Sequence, residues 1–316
     1  MARMPDKQTL AQVQPVRYLD LLARAVAYIG EHLAEPLDNE RLAQQAAMSP
    51  FHFHRMFRAH FGTTVAGYVT WRRLQRACEL LAHDGAVVLD VALAVGYESA
   101  QALAKAMRRE LDTTPTAVRA GAAPYWQRLF ERRGIAPVQP DTQHPALQPH
   151  ATHMNLQPRL VELPDRWVLT ATGRGMHEGR MSRAAEQAFA ELWAALAQAG
   201  LAEHVACTVG ILPDEPEHPE DPQVRIWAGA GFDGEQPAIR LRGSLAWRPL
   251  PGGRYAVFTH TGSFDGLHRS WRGVYGQWLP ATGYALRDTP PFEHYVNDPR
   301  SLPPEQWRTD LHVPLQ

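Results

Sequence analysis

The acid best placed for chemistry in this sequence is Glu293, set in the run Pro290-Pro291-Phe292-Glu293-His294-Tyr295-Val296. As a strand, this run puts Glu293 and Tyr295 on one face and Phe292 and His294 on the other. A carboxylate on an inward aromatic face must be paired, protonated or reserved for a cationic ligand. The residues alone leave plainer readings open: a salt bridge to an arginine such as Arg308, or an outward, solvated position. Other clusters argue for less. His260, Ser263 and Asp265 bunch as in a hydrolase triad, but they sit where a helix should begin, which suits an N-cap. The chain has no GxSxG elbow. Gly229-Ala230-Gly231-Phe232-Asp233-Gly234 satisfies GxGxxG, yet Glu235-Gln236-Pro237 follows where a dinucleotide site needs a helix, so a loop is expected. His52 and His54 would point about 200° apart on a helix, which is wrong for a shared metal. His144, His150 and His153 have no acid or cysteine spaced to complete a site, and Cys78 and Cys207 belong to no CxxC pair. No cofactor, metal or catalytic residue is therefore expected, and the chain reads as a non-enzyme.

The elements that would position other functional residues come from a doubling. Leu42 to Phe57 and Val91 to Lys105 each read as a short helix, a turn and a second helix opened by a serine. Ser49 is an N-cap with Pro50 at the first helical position. Gly96 can take the left-handed conformation that ends a helix, and Ser99 caps the next. Between the motifs, Val65 to Ala82 reads as one helix of about 27 Å at 1.5 Å per residue. Such a strut can hold two recognition helices roughly 34 Å apart, one turn of duplex DNA. Tandem helix-turn-helix motifs so joined predict DNA binding. Arg72, Arg73 and Arg76 gather on part of the strut, where they would at most touch phosphates.

Composition agrees with local rather than diffuse recognition of an anion. The 316 residues carry a net charge of −1, with +2 over residues 1–125 and −3 over the rest. Nearly all the positive side chains are arginine, whose planar fork suits guanine and phosphate. No apolar stretch approaches the roughly 20 residues that span a bilayer, and there is no signal-peptide pattern, so a cytoplasmic protein without a membrane partner is expected.

The chain divides by pattern. Residues 1–17 read as a flexible N-terminus, 18–120 as an all-α double helix-turn-helix domain, 121–156 as a Pro-rich linker, and 157–316 as a second domain. In the first, Leu22, Val26, Ile29 and Leu33 form a helical stripe. The second contains an internal repeat: Leu163-Pro164-Asp165-Arg166-Trp167 matches Leu250-Pro251-Gly252-Gly253-Arg254-Tyr255, with one residue inserted. Each copy continues into a helix (182–198; 266–279) and two strands (207–212 and 223–232; 292–296 and 309–314). Two β-α-β-β units related by a pseudo-twofold predict an α+β domain with one antiparallel sheet and a cleft suited to a small molecule.

Residues 18–120 resemble the AraC/XylS family of transcription regulators. The match rests on Ser49-Pro50-Phe51-His52-Phe53-His54-Arg55-Met56-Phe57, Tyr68-Val69-Thr70-Trp71-Arg72-Arg73-Leu74, Val95-Gly96-Tyr97-Glu98-Ser99, Thr114-Pro115 and Arg119. The second motif departs from the family pattern: Leu103, Met107 and Leu111 replace aromatics, and Asp112 replaces a glycine. Carried over by position, Phe51, His54 and Arg55 of the first recognition helix and Gln101 and Lys105 of the second would reach DNA bases. The resemblance also implies RNA polymerase as a further partner. Residues 157–316 look like the GyrI-like effector-binding domain, through the duplicated pattern, Thr261-Gly262-Ser263-Phe264, Phe292-Glu293-His294-Tyr295 and Arg308-Thr309-Asp310-Leu311-His312-Val313-Pro314. Together the halves resemble Rob-type regulators: double-stranded DNA and a small-molecule effector, lipophilic or cationic, are the implied partners. An effector pocket is expected at the seam between the repeats, with Glu293 as the charge and Tyr295, Trp227 and Tyr275 as aromatic walls. Some stand-alone GyrI-like relatives are hydrolases, so a small-molecule hydrolase or sequestering protein fused to a DNA-binding domain is the alternative.

Overall fold

The computed structural model describes residues 17–83, 85–121, 155–177, 181–216 and 220–316. The N-terminus over 1–17 and the linker over 121–156, with its three histidines, fall almost wholly outside the described residues.

Among the described residues the first half is helical: α1 (Tyr18–Glu31), α2 (Asn39–Gln45), α3 (Pro50–Phe61), α4 (Val65–Leu81), α5 (Val88–Ala94), α6 (Ala100–Leu111) and α7 (Pro115–Ala120). The starts follow local chemistry. Asp38 accepts from the Arg41 amide at 2.7 Å, Ser49 from His52 at 3.4 Å and Ser99 from Ala102 at 3.1 Å. Gly96 takes φ +80° behind α5, as the turn requires. The departures in the second motif are absorbed. Leu103, Met107 and Leu111 are buried against α4 and α5, and Asp112 itself adopts φ 53° to end α6. Arg73 is not turned to solvent for a phosphate. It donates to the carbonyls of Leu33 at 2.9 Å and Glu35 at 2.8 Å, tying α4 to the end of α1.

The second half is one antiparallel sheet with helices against it. Its strands are β1 (Arg159–Leu163), β2 (Arg166–Arg174), β3 (Val205–Ile211), β4 (Arg225–Phe232), β5 (Ala246–Leu250), β6 (Gly253–Thr261), β7 (Phe292–Tyr295) and β8 (Arg308–Pro314), in spatial order β1-β6-β8-β7-β3-β4-β2-β5. The repeat is β2-α8-β3-β4 followed by β6-α9-β7-β8, with α8 at Ser182–Gln198 and α9 opening at Leu267–Gly273. The pseudo-twofold passes between β3 and β7. Two edge strands lie outside the expected units, and each crosses over: β1 precedes β2 but pairs with β6, and β5 precedes β6 but pairs with β2. The sheet curls until its two tight turns meet, the Gly252 amide donating to Asp165 Oδ1 at 2.7 Å. A Cβ on Gly252 would stand 2.5 Å from backbone atoms of Leu163 and Asp165, so glycine permits that closure.

Helix α9 is not the uninterrupted helix expected from 266–279. It runs through a π-helical stretch, Val274–Trp278, into a last α-turn, Leu279–Thr282. Pro280 has no N–H for the carbonyl four residues back, and the widened turn accommodates that loss. One face of the sheet buries Val168, Ile211, Tyr255 and Phe292. The other face is covered by α8 and α9, and under α9 its core is continuous with that of α1–α4: Leu22, Ile29, Phe53 and Phe57 share a cluster with Phe258, Trp278 and Leu311.

Candidate functional site

At the pseudo-twofold, Gly210 of β3 stands opposite Glu293 of β7 and Ile211 opposite Phe292. Glu293 and Tyr295 share the helix-covered face; Phe292 stacks on His312 on the other, at 4.2 Å between ring centroids. This is the alternation read from the sequence. Gly210 makes room: a Cβ there would lie 2.5 Å from the Tyr295 phenol oxygen. Trp271 of α9 donates its indole N–H to Glu293 Oε1 at 2.8 Å, and Tyr295 donates its hydroxyl to Oε2 at 2.9 Å. Glu293 is only 5% exposed. Burial lifts its carboxyl above the ordinary range, opposed by those two hydrogen bonds and by the field of Arg55. Arg308, the salt-bridge partner entertained for it, is exposed at the start of β8.

Above Glu293 lies a cavity of about 720 Å³ between α8 and α9, lined by Phe189, Phe264, Trp271, Tyr275 and Tyr295 among others. Trp227 is not one of its walls. It stands opposite Ile211, and Ile211 opposite Phe292, so parity sends Trp227 to the far face of the sheet. There it lies under Arg248, at 4.1 Å from guanidinium carbon to ring centroid. The strand that corresponds to β7 in the repeat is β3, whereas Trp227 lies on β4.

The remaining wall comes from the helical half. Arg55, Arg58 and Ala59 of α3 line the cavity. The Arg55 guanidinium sits over Phe51 at 4.6 Å, over Trp271 at 5.7 Å and over Tyr275 at 5.7 Å. It forms an ion pair with Glu215 and donates to the Leu212 carbonyl at 3.3 Å. Burial raises the Glu215 carboxyl while Arg55 and Arg58 lower it. His54, buried beside them, is held down to about 4 by burial, then by Arg58 and Arg55. The five positions expected to read DNA are thus presented unequally. Gln101 and Lys105 are exposed on α6; His54 and Arg55 are buried and Phe51 half-buried.

Sequence reasoning missed Trp271 and Glu215. Trp271 precedes Tyr275 by one helical turn, so the i, i+4 spacing could have found it. Glu215 lies in an irregular segment with no periodic signal.

The triad candidates serve structure. His260 reaches Ser270 Oγ at 2.9 Å and the Ser263 carbonyl at 3.1 Å, and Ser263 Oγ accepts from the Asp265 amide at 3.3 Å. Gly229 and Gly231 lie within β4, and Cβ atoms on them would crowd Val209 and Cys207. Among the described residues, no group of three or more His, Cys, Asp or Glu could hold a metal ion, and no helix is long and apolar enough to cross a membrane.

A curled sheet of two β-α-β-β copies with a ligand-sized cavity at their seam, joined to tandem helix-turn-helix motifs, defines a two-part binding protein. The family model described as "GyrI-like small molecule binding domain" matches residues 156–316, and a "Helix-turn-helix domain" model matches residues 42–121. The chain belongs to the GyrI-like family, and its helical half is of the AraC type. It is similar to the uncharacterized HTH-type transcriptional regulator YbfP of Bacillus subtilis, with 31% identity over 102 residues, 32% of this chain and 35% of that protein. It is also similar to the regulatory protein SoxS of Escherichia coli, with 33% identity over 91 residues, 29% of this chain and 85% of that protein. A solved AraC-type transcriptional regulator from Chromobacterium violaceum aligns at 27% identity and TM-score 0.32, over 34% of this chain and 95% of that one.

Proposed function

We propose that this protein regulates transcription by binding a specific duplex DNA site through residues 18–120, and that its seam cavity takes a lipophilic cation. The observation that carries the effector class is Glu293, a buried carboxylate in an aromatic cavity whose direct partners are two neutral donors, Trp271 and Tyr295. A cation over ring faces gains about 0.5–2 kcal/mol per ring, and a nearby carboxylate adds attraction and selects against anions. For DNA, the support is two capped recognition helices on one strut. Lys105 and Arg108 present positive charge on α6, while Arg55 and Arg58, the cations of α3, are turned into the cavity. The names of the similar proteins agree with this reading.

Selection of a duplex from a random pool, followed by footprinting, tests the DNA half. Protection of two major-groove segments about one turn apart is expected. Titration with benzyltrimethylammonium, against its neutral isostere neopentylbenzene, tests the cavity. Saturable binding of the cation alone, weakened at least tenfold in Glu293→Gln, is expected; equal binding of both compounds would refute the cationic class.

A further inference from the structure

The cavity already holds a cation, and the chain supplies it. Arg55 stands where a bound cation would be expected to stand, over the Trp271 and Tyr275 rings at 5.7 Å from each, within the field of Glu293 and paired with Glu215. Arg55 is also one of the three positions on α3 expected to read bases. The docked surface is built for this contact in several places. The His52 ring nitrogen lies 2.8 Å from the Arg287 carbonyl, and Tyr18 donates to the Tyr284 carbonyl at 2.7 Å. At the closest approach α9 carries Gly276, where a Cβ would lie 3.1 Å from the Ala59 carbonyl oxygen and 3.6 Å from the Ala59 Cβ. A side chain larger than alanine at that position would hold the two helices apart.

We propose that α3 and the cationic effector compete for one aromatic cage, so that a bound effector displaces Arg55 and releases the first recognition helix to DNA. The inference rests on the function proposed above and adds how its two halves communicate. A helix whose reading face is covered cannot enter a major groove roughly 12 Å wide. A cation cannot share the cage with Arg55, because both need the same ring faces and carry the same sign of charge. A ligand shifts a conformational balance only by its difference in affinity for the two states, and displacement of a like charge supplies that difference.

A disulfide lock tests this without the effector. The 3.6 Å Cβ separation suits a bond between Ala59→Cys and Gly276→Cys, made in a Cys207→Ser background because Cys207 lines the cavity. The oxidised protein is expected to lose footprint protection over the segment read by α3 and to bind the selected duplex at least tenfold more weakly. Reduction restores both. In Gly276→Leu, which forces the helices apart, affinity is expected to exceed wild type about tenfold and to stop responding to benzyltrimethylammonium, which raises it in wild type. Full two-segment protection by the oxidised protein would overturn the competition, as would a cation that leaves wild-type affinity unchanged or lowers it. If reduced and Gly276→Leu proteins bind no duplex at all, the DNA reading falls and the inference falls with it.

Discussion

Trp271 joins two opposite charges: its indole N–H donates to Glu293 at 2.8 Å, while its ring lies 5.7 Å from the Arg55 guanidinium carbon. One side chain therefore connects the floor of the cavity to the helix that closes it. Changes at either charge should be felt at the other, and stability and binding can be used to separate them.

The first prediction concerns Glu293→Gln. Burial raises the folded-state pKa of Glu293, so its contribution to stability is present in acid and lost as pH rises through that raised value. The amide stays neutral and can still accept from Trp271. The variant should be more stable than wild type at neutral pH, with a flatter pH dependence, while binding of benzyltrimethylammonium falls at least tenfold. Thermal melts from pH 5 to 8 with parallel calorimetry check this. A less stable variant with intact binding would make Glu293 a structural residue only.

His54 predicts acid sensitivity of the opposite sign. Its folded value of about 4 lies below the ordinary 6.5 of histidine, set by burial, Arg58 and Arg55 and partly offset by Asp221. A base depressed in this way contributes fully above 6.5 and loses its contribution as pH falls toward 4. The loss amounts to about 3 kcal/mol over that window. Denaturant melts of His54→Gln should lack most of this acid slope; an unchanged slope would place the sensitivity elsewhere.

Gly173 of β2 should tolerate no side chain. A Cβ there would run into the Ala184 backbone of α8, which cannot swing aside as a flexible side chain would. Gly173→Ala is expected to cost about 1–3 kcal/mol by prising α8 from the sheet. A melting temperature within a degree of wild type would contradict the packing described.

Arg73→Met tests the joint between the two motifs. Removing the guanidinium leaves the Leu33 and Glu35 carbonyls without its two hydrogen bonds, a loss of about 1–3 kcal/mol. The footprint should keep both segments but lose their fixed spacing. A variant weakened equally on all duplexes, with spacing preserved, would instead make Arg73 a phosphate contact.

Much of this was legible in the sequence because it is local. Caps at Ser49 and Ser99, the stripe Leu22–Val26–Ile29 and the alternation around Glu293 each depend on neighbours a few residues away. What escaped was long-range. Trp227 was misplaced because parity across three paired strands depends on register, which no single strand reveals. Arg73 looked like a phosphate contact because its carbonyl partners lie 38 and 40 residues earlier. The docking of α3 had no signal, since a recognition helix and a helix packed on a cavity need the same pattern of apolar residues.

The crossed edge strands carry a consequence for origin. A lone β-α-β-β copy with its leading strand would have no partner for that strand within itself, because β1 is completed by β6 and β5 by β2. Such an ancestor would close its sheet only by swapping strands with a second molecule. Fusing two such copies would turn that encounter into a fold within one chain, with the former contact between β3 and β7 as the floor under Glu293.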